Sequence, residues 1–384
     1  MTHERNIPFA RPMLGQREKD LVAKVLDGTV LTHGPRCAQF ESDFAERTGA
    51  QHAITVSSCT TGLQLSLMSL GVGTGDEVIV PAQTHVATAH AVEHVGAKPI
   101  FADVSKATGN IDPDCVEEVL SERTRAIIPV HYLGLPCDKQ RLMKLAADVN
   151  VRIIEDCALA LGAESDGTHP GTWDAFGCYS FYPAKHITTL EGGMVTTNDD
   201  ELAARVRHLR AFGYDKNLGE RSVPGIYDVV SLGHNFRMSE AHAAVGIGQL
   251  ERLEQFLEAR ASNAAAIMAG LGGRGEIVIF PLQLDGAHSA NFCVNIVLDA
   301  GLRSRRGEII AGLNKAGIGT SVHYPVAVPL STYYREKYGY EPEMFPVAEW
   351  MADCTISLPV GPHLQAGDAQ YIVESANHTL DSLC

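Results

Sequence analysis

The sequence has no CxxC pair among its nine cysteines, and no short cysteine spacing repeats. The odd number of thiols, at 37, 59, 115, 137, 157, 178, 293, 354 and 384, makes neither a disulfide framework nor a zinc knuckle, and it suits a reducing compartment. The N-terminus, MTHERNIPFARPML, lacks a basic segment followed by an apolar core. No apolar run approaches the roughly 20 residues of a membrane-spanning helix. A cytoplasmic protein is therefore expected. Positive charge is also scarce, with 31 lysines and arginines against 46 acids and a formal net charge of -15. That balance argues against nucleic acid or an anionic membrane as partner, since both need a basic surface, whereas an anionic small molecule needs only a locally basic pocket. His90 and His94 are spaced i, i+4, but no HExxH accompanies them, and no metal is expected.

What is present is the composition of a soluble globular protein, 45% hydrophobic and 20% charged over 384 residues. Apolar runs alternate with helical segments: HAITVSS (52–58), DEVIVP (76–81), KPIFAD (98–103), RAIIPVH (125–131), VRIIED (151–156), FGCYSF (176–181) and GGMVTTND (192–199). This is the pattern of an α/β fold, a mainly parallel seven-stranded sheet flanked by helices. A large domain over 1–250, with an N-terminal helical segment, is expected to precede a smaller α+β domain over 251–384. One long helix, capped by Ser239 and running over 240–271, is expected to bridge them. In the smaller domain NFCVNIVL, GTSVHY and CTISLPV read as strands, and RSRRGEIIAGLNKAG, PVAEWMADC and AGDAQYIVESANHTL as helices.

Residues 151–193 carry the chemistry. VRII fills a strand buried on both faces and stops at Glu155-Asp156, which places Asp156 at the sheet edge where ligands of open α/β folds bind. FGCYSFYPAKHI runs through a second strand and presents Lys185 in a polar turn. An acid and a lysine so placed suit pyridoxal phosphate: the lysine bonds to its aldehyde carbon, and the acid keeps its ring nitrogen protonated. The turn Ser58-Cys59-Thr60-Thr61 opens a helix; alone it reads as ordinary capping, but beside Asp156 and Lys185 it offers a phosphate cradle. His85, just past another strand, can stack on a flat ring. Glu191-Gly192-Gly193 allows a tight turn and close backbone approach. A dinucleotide reading is weak, because GVGTG precedes a strand and GLGGRGE lacks the Lys-Ser/Thr pair of a P-loop.

The chain resembles the DegT/StrS family of pyridoxal-phosphate sugar aminotransferases through LTHGPRCAQFESDFAERTGA, SSCTTGLQLSLMSLGVGTGDEVIVPAQTHVAT, PVHYLGLPCD, IIEDCALALGA, SFYPAKHITTLEGGMVTTND, LGHNFRMSEAHAAVGIGQLE, GIGTSVHYPV and FPVAEWMADCTISLPVGPHL. The resemblance implies the aspartate-aminotransferase fold (fold type I) and a homodimer with shared active sites. By position, Lys185 resembles the Schiff-base lysine and Asp156 the partner of the ring nitrogen. Thr60, Thr61 and Ser180 resemble phosphate ligands, His85 the stacking residue, and Asn235 the asparagine that reaches the neighbouring subunit's cofactor. Three positions depart from the family: Leu159 replaces the glutamine that contacts the cofactor's phenolic oxygen, Leu190 a glycine or alanine, and Trp350 an arginine.

The resemblance implies transfer of the amino group of L-glutamate to a keto group of a nucleotide-linked deoxysugar, through pyridoxal and pyridoxamine phosphate. Arg237 and Lys216 are candidates for the sugar's phosphates, and His186, His323 and Tyr324 for the sugar pocket. Three alternatives stand beside this: a pyridoxamine-phosphate sugar dehydratase, in which histidine replaces the lysine retained here; an aminotransferase acting on an inosose-like carbocyclic ketone; and a non-catalytic regulatory homologue.

Overall fold

The structure is a computed structural model and describes residues 5–215, 223 and 226–382; Lys216 lies outside them. Strands β1 (His52–Val56), β2 (Glu77–Pro81), β3 (Lys98–Ala102), β4 (Thr124–Ile127), β5 (Arg152–Asp156), β6 (Phe176–Ser180) and β7 (Gly193–Thr197) form one sheet, ordered β1-β7-β6-β5-β4-β2-β3. All seven lie within the runs read from the sequence or one residue beyond them. From β3 to β6 every pairing is parallel, and β7 runs antiparallel to both β6 and β1. Parallel strands covered on both faces are apolar on both, and β2 is buried along its whole length. The C-terminal ends of β2, β4, β5 and β6 share one edge, so the loops leaving them converge there.

Helices α1 (Gln16–Leu26), α2 (Pro35–Thr48), α3 (Cys59–Ser69), α4 (Val86–His94), α5 (Pro113–Val119), α6 (Lys139–Asp148) and α7 (Asp200–Leu209) accompany the sheet. The single helix expected over 240–271 is two, α8 (Glu240–Leu250) and α9 (Leu253–Leu271). Arg252 leaves helical geometry (φ -113, ψ 7), and its guanidinium turns to the Met13 carbonyl and the buried Glu18 carboxylate. The break follows from divided packing. Helix α8 lies on α1 and α2, where a side chain at Gly246 would meet Phe40 at 2.7 Å, whereas α9 lies on the C-terminal helix.

The C-terminal part holds an antiparallel sheet of β8 (Ile277–Ile279), β9 (Val294–Leu298) and β10 (Thr355–Leu358), ordered β10-β9-β8. Around it lie α10 (Arg306–Lys315), α11 (Thr332–Tyr338), α12 (Pro346–Cys354) and α13 (Asp368–Asp381). Residues 319–324, expected as a strand, make one isolated bridge between Ser321 and Ser357. The chain then leaves the small sheet and crosses to the large one, where the Val328 amide donates to the Ala82 carbonyl at 2.8 Å. The third strand, β8, and helix α11 were not foreseen, since both are short. Among the described residues no helix is long and apolar enough to cross a membrane.

Candidate active site

Asp156 ends β5 and is buried at 5% exposure. Its Oδ2 accepts from Thr88 Oγ1 of α4 at 2.8 Å and its Oδ1 from the Ala158 amide at 3.1 Å, while the Cys59 thiol lies 3.9 Å from Oδ1. The carboxylate is thus held in one orientation at the sheet edge. Strand alternation sends the preceding Glu155 to the other face, where its oxygens accept from the Gly171 amide (2.6 Å) and the Trp173 amide (2.8 Å) and lie 3.2 Å from His131 Nε2. His131, Glu155 and Cys157 form a buried group with donor atoms within 4.8 Å of one another. The two backbone amides already occupy the carboxylate, so this group ties down the end of β5.

Beside Asp156, β1 feeds α3. Ser58 Oγ accepts from the Thr61 amide at 3.2 Å and Thr61 Oγ1 accepts from the Ser58 amide at 3.1 Å, so the ordinary capping reading holds. The Cys59 and Thr60 amides have no helical acceptor and stay available to an anion. Strand register places Val56, Gly193 and Ser180 in one row next to this turn. Gly193 is required there, since a Cβ would stand 2.5 Å from the Ser58 carbonyl carbon and 2.6 Å from the Cys59 nitrogen. Thr60, Thr61 and Ser180 are therefore brought together.

Lys185 stands in the turn after β6, its amide bonded to the Tyr182 carbonyl at 2.9 Å. Its Nζ lies 5.3 Å from the centre of the Phe292 ring, and among the described residues no carboxylate is within ion-pair distance of it. Burial lowers the pKa of this amine, with Cys59, Asp156 and Cys293 opposing the shift. Lowering by burial raises the fraction of neutral amine, the form that acts as nucleophile and base.

Facing this group, His85 caps α4, its Nδ1 accepting from the Ala87 amide at 3.2 Å. Its ring is open toward the cleft and 5.8 Å from that of Tyr324, which is 5.3 Å from His323, which is in turn 5.3 Å from Phe292. This chain of rings brings His323 and Tyr324 to the same cleft as Lys185. His186 is buried, with its ring 5.9 Å from that of Phe292 and its Nε2 2.9 Å from the Ala290 carbonyl. Asn235 and Arg237 form a separate exposed cluster. Arg237 Nε donates to Asn235 Oδ1 at 2.8 Å, and its Nη1 lies 2.7 Å from His33 Nε2. The Ser57 amide, which donates to the Phe236 carbonyl at 2.8 Å, joins that cluster to the α3 turn. Leu159 is packed in the core, Leu190 is exposed with left-handed backbone (φ 72), and Trp350 Nε1 donates to the Leu298 carbonyl at 3.3 Å.

Burial holds three imidazoles neutral: His323 down to about 3, His169 down to about 4, and His186 well below its ordinary value. Each has a folded pKa below the unfolded one, so below about pH 6.5 the unfolded chain takes up protons that the folded chain excludes. Stability is then full above pH 6.5 and falls as pH drops toward the folded values, by up to about 1.4 kcal/mol per pH unit for each histidine. Thermal unfolding between pH 7 and pH 4.5 should show this fall. His169→Gln keeps an acceptor for the Gly162 amide and should flatten the slope by about one histidine's share; an unchanged slope would remove His169 from the account.

Several residues of the site were not singled out in the sequence: Thr88, Phe292, Gln83 and Tyr132. Thr88, in the first turn of α4, was a legible signal, because a hydroxyl at the start of a helix beside a strand-end acid can reach it; Thr84, ahead of the N-cap His85, lies 2.9 Å from the Thr88 hydroxyl. Phe292 carried no such signal.

The residues fit pyridoxal phosphate, with free amides for its phosphate, a fixed buried acid for its ring nitrogen and an unpaired amine of lowered pKa between them. Comparison with known proteins agrees. Residues 12–377 match the DegT/DnrJ/EryC1/StrS aminotransferase family. The spore coat polysaccharide biosynthesis protein SpsC of Bacillus subtilis is 35% identical over 381 residues, covering 98% of each chain. The structure of Spr1654 from Streptococcus pneumoniae, in its PMP form, is similar at TM-score 0.93 and 29% identity, covering 99% of this chain and 100% of that one. DesV from S. venezuelae is similar at TM-score 0.88 and 33% identity, covering 97% and 98%. The chain belongs to the DegT/DnrJ/EryC1/StrS aminotransferase family and is a pyridoxal-phosphate-dependent aminotransferase.

Proposed function

We propose that the chain transfers the amino group of L-glutamate to the keto carbon of a nucleotide-linked deoxysugar. The observation that carries this reading is the unpaired amine of Lys185, kept beside a fixed Asp156 in a chain whose relatives include sugar aminotransferases. Pyridoxal phosphate, when bound, supplies the aldehyde carbon that receives the amine and the ring that accepts the electrons released at the donor's Cα. Lys185 Nζ takes the proton from the donor's Cα and returns it on the acceptor side. Asp156 holds a proton at the ring nitrogen, fixed by Thr88 and the Ala158 amide. The Cys59 and Thr60 amides with the hydroxyls of Thr60, Thr61 and Ser180 hold the phosphate, and His85 flanks the ring. His323 and Tyr324 line the sugar pocket. Arg237, with Lys216, meets the nucleotide's phosphates.

In this reading the enzyme works in the cytoplasm as a homodimer, with Asn235 reaching the neighbouring site. The exposed Asn235–Arg237 cluster beside the α3 turn supports that, as do the exposed Ile226, Val229, Val230 and Leu232 leading into it. The test is a panel of thymidine, uridine, guanosine and cytidine diphosphate keto sugars with glutamate, following 2-oxoglutarate and the amino sugar. One acceptor should be aminated. Amination of a carbocyclic ketone alone would replace the acceptor, and loss of a sugar hydroxyl without glutamate consumption would mark a dehydratase. An aldehyde cofactor that never converts to the amine form would mark a binding protein.

A further inference from the structure

Residues 319–328 carry His323 and Tyr324, yet they make only one bridge to the small sheet. What seats them over the cleft comes from the other side. Gln83 follows β2 and Tyr132 opens the turn after β4, so both stand on the site edge of the large sheet. Gln83 Nε2 donates to the Tyr324 carbonyl at 3.3 Å, and the Tyr132 hydroxyl donates to the neighbouring His323 carbonyl. Two consecutive carbonyls of one segment are thus held by two buried side chains of the opposite sheet. Asn295 of β9 braces the phenol, its Nδ2 donating to the Tyr132 oxygen at 2.9 Å. Ser357 of β10 braces the His323 ring, with its Oγ 2.9 Å from Nδ1. Burial pushes the Tyr132 phenol well above its ordinary pKa, so it stays a donor at any working pH.

We propose that Gln83 and Tyr132 form a two-point latch that sets how His323 and Tyr324 stand against His85 and Lys185, making them positioning residues of the active site. The inference rests on the functional reading above for what the latch does, and on the hydrogen bonds alone for its existence. The carbonyls are main-chain groups, so the latch fixes the segment's backbone without engaging either side chain. Tyr132→Phe and Gln83→Leu each remove one point with little change of volume.

Two measurements on the cofactor-loaded protein test it. Amide hydrogen exchange over 319–328 should be faster in each variant and fastest in the double variant, with β5 and β6 unchanged; exchange equal to wild type would overturn the latch. With whichever acceptor the panel identifies, KM should rise about 10-fold in each variant, while cofactor absorbance and melting temperature stay near wild type. Faster exchange with unchanged KM and kcat would overturn the positioning role, as would a loss of melting temperature that alone accounts for lost activity. If the wild type aminates no keto sugar, the functional reading fails, and hydrogen exchange still decides the latch.

Discussion

Lys185→Ala abolishes amino transfer, lowering turnover on the order of 10^4-fold or more, with the fold intact. Among the described residues no second amine is placed at this position, and the imidazoles of His85, His323 and His186 are all held below their ordinary pKa. Burial makes the lysine neutral often enough to attack and to move a proton, and both roles vanish together. Among the described residues its amine makes no hydrogen bond or ion pair that the fold depends on, so alanine leaves the melting temperature within a few degrees of wild type. Borohydride reduction of the loaded protein should fix the cofactor to Lys185 and leave the alanine variant unlabelled. Turnover by Lys185→Ala within tenfold of wild type would end the mechanism.

Asp156→Asn is the second large effect, about 10^2 to 10^3-fold in turnover. The amide is nearly isosteric: its oxygen can still accept from the Ala158 amide, and its nitrogen can face Thr88, whose hydroxyl also lies 2.9 Å from Thr84. Packing therefore survives while the charge is lost, and a neutral amide cannot keep a ring nitrogen protonated. The bound cofactor's absorbance should change with the rate. If turnover and absorbance both matched wild type, Asp156 would be a structural cap and no more.

The α/β architecture was legible because each strand of a parallel sheet is a short β-branched run stopped by polar residues. VRIIED became β5 and DEVIVP became β2 with boundaries off by a residue at most. The single helix read over 240–271 failed because helical spacing continues through Arg252. Only packing against Glu18 and Met13, far away in sequence, breaks it. GTSVHY alternates like a strand, yet its partners are carbonyl-seeking side chains on the other sheet, which no local pattern announces.

For the site, the sequence by itself determined which chemical groups exist and where strands end. Asp156, the α3 turn and Lys185 follow from residue type at strand ends, a local property. Tertiary structure decided what surrounds them. It turned His186 to the Ala290 carbonyl, buried Leu159 in the core, and set Phe292 beneath the lysine amine. It also drew His323 and Tyr324 across from the small sheet by Gln83 and Tyr132. These placements depend on contacts between segments remote in sequence, and burial, which sets the charge state of Lys185 and the histidines, exists only once those segments have packed together.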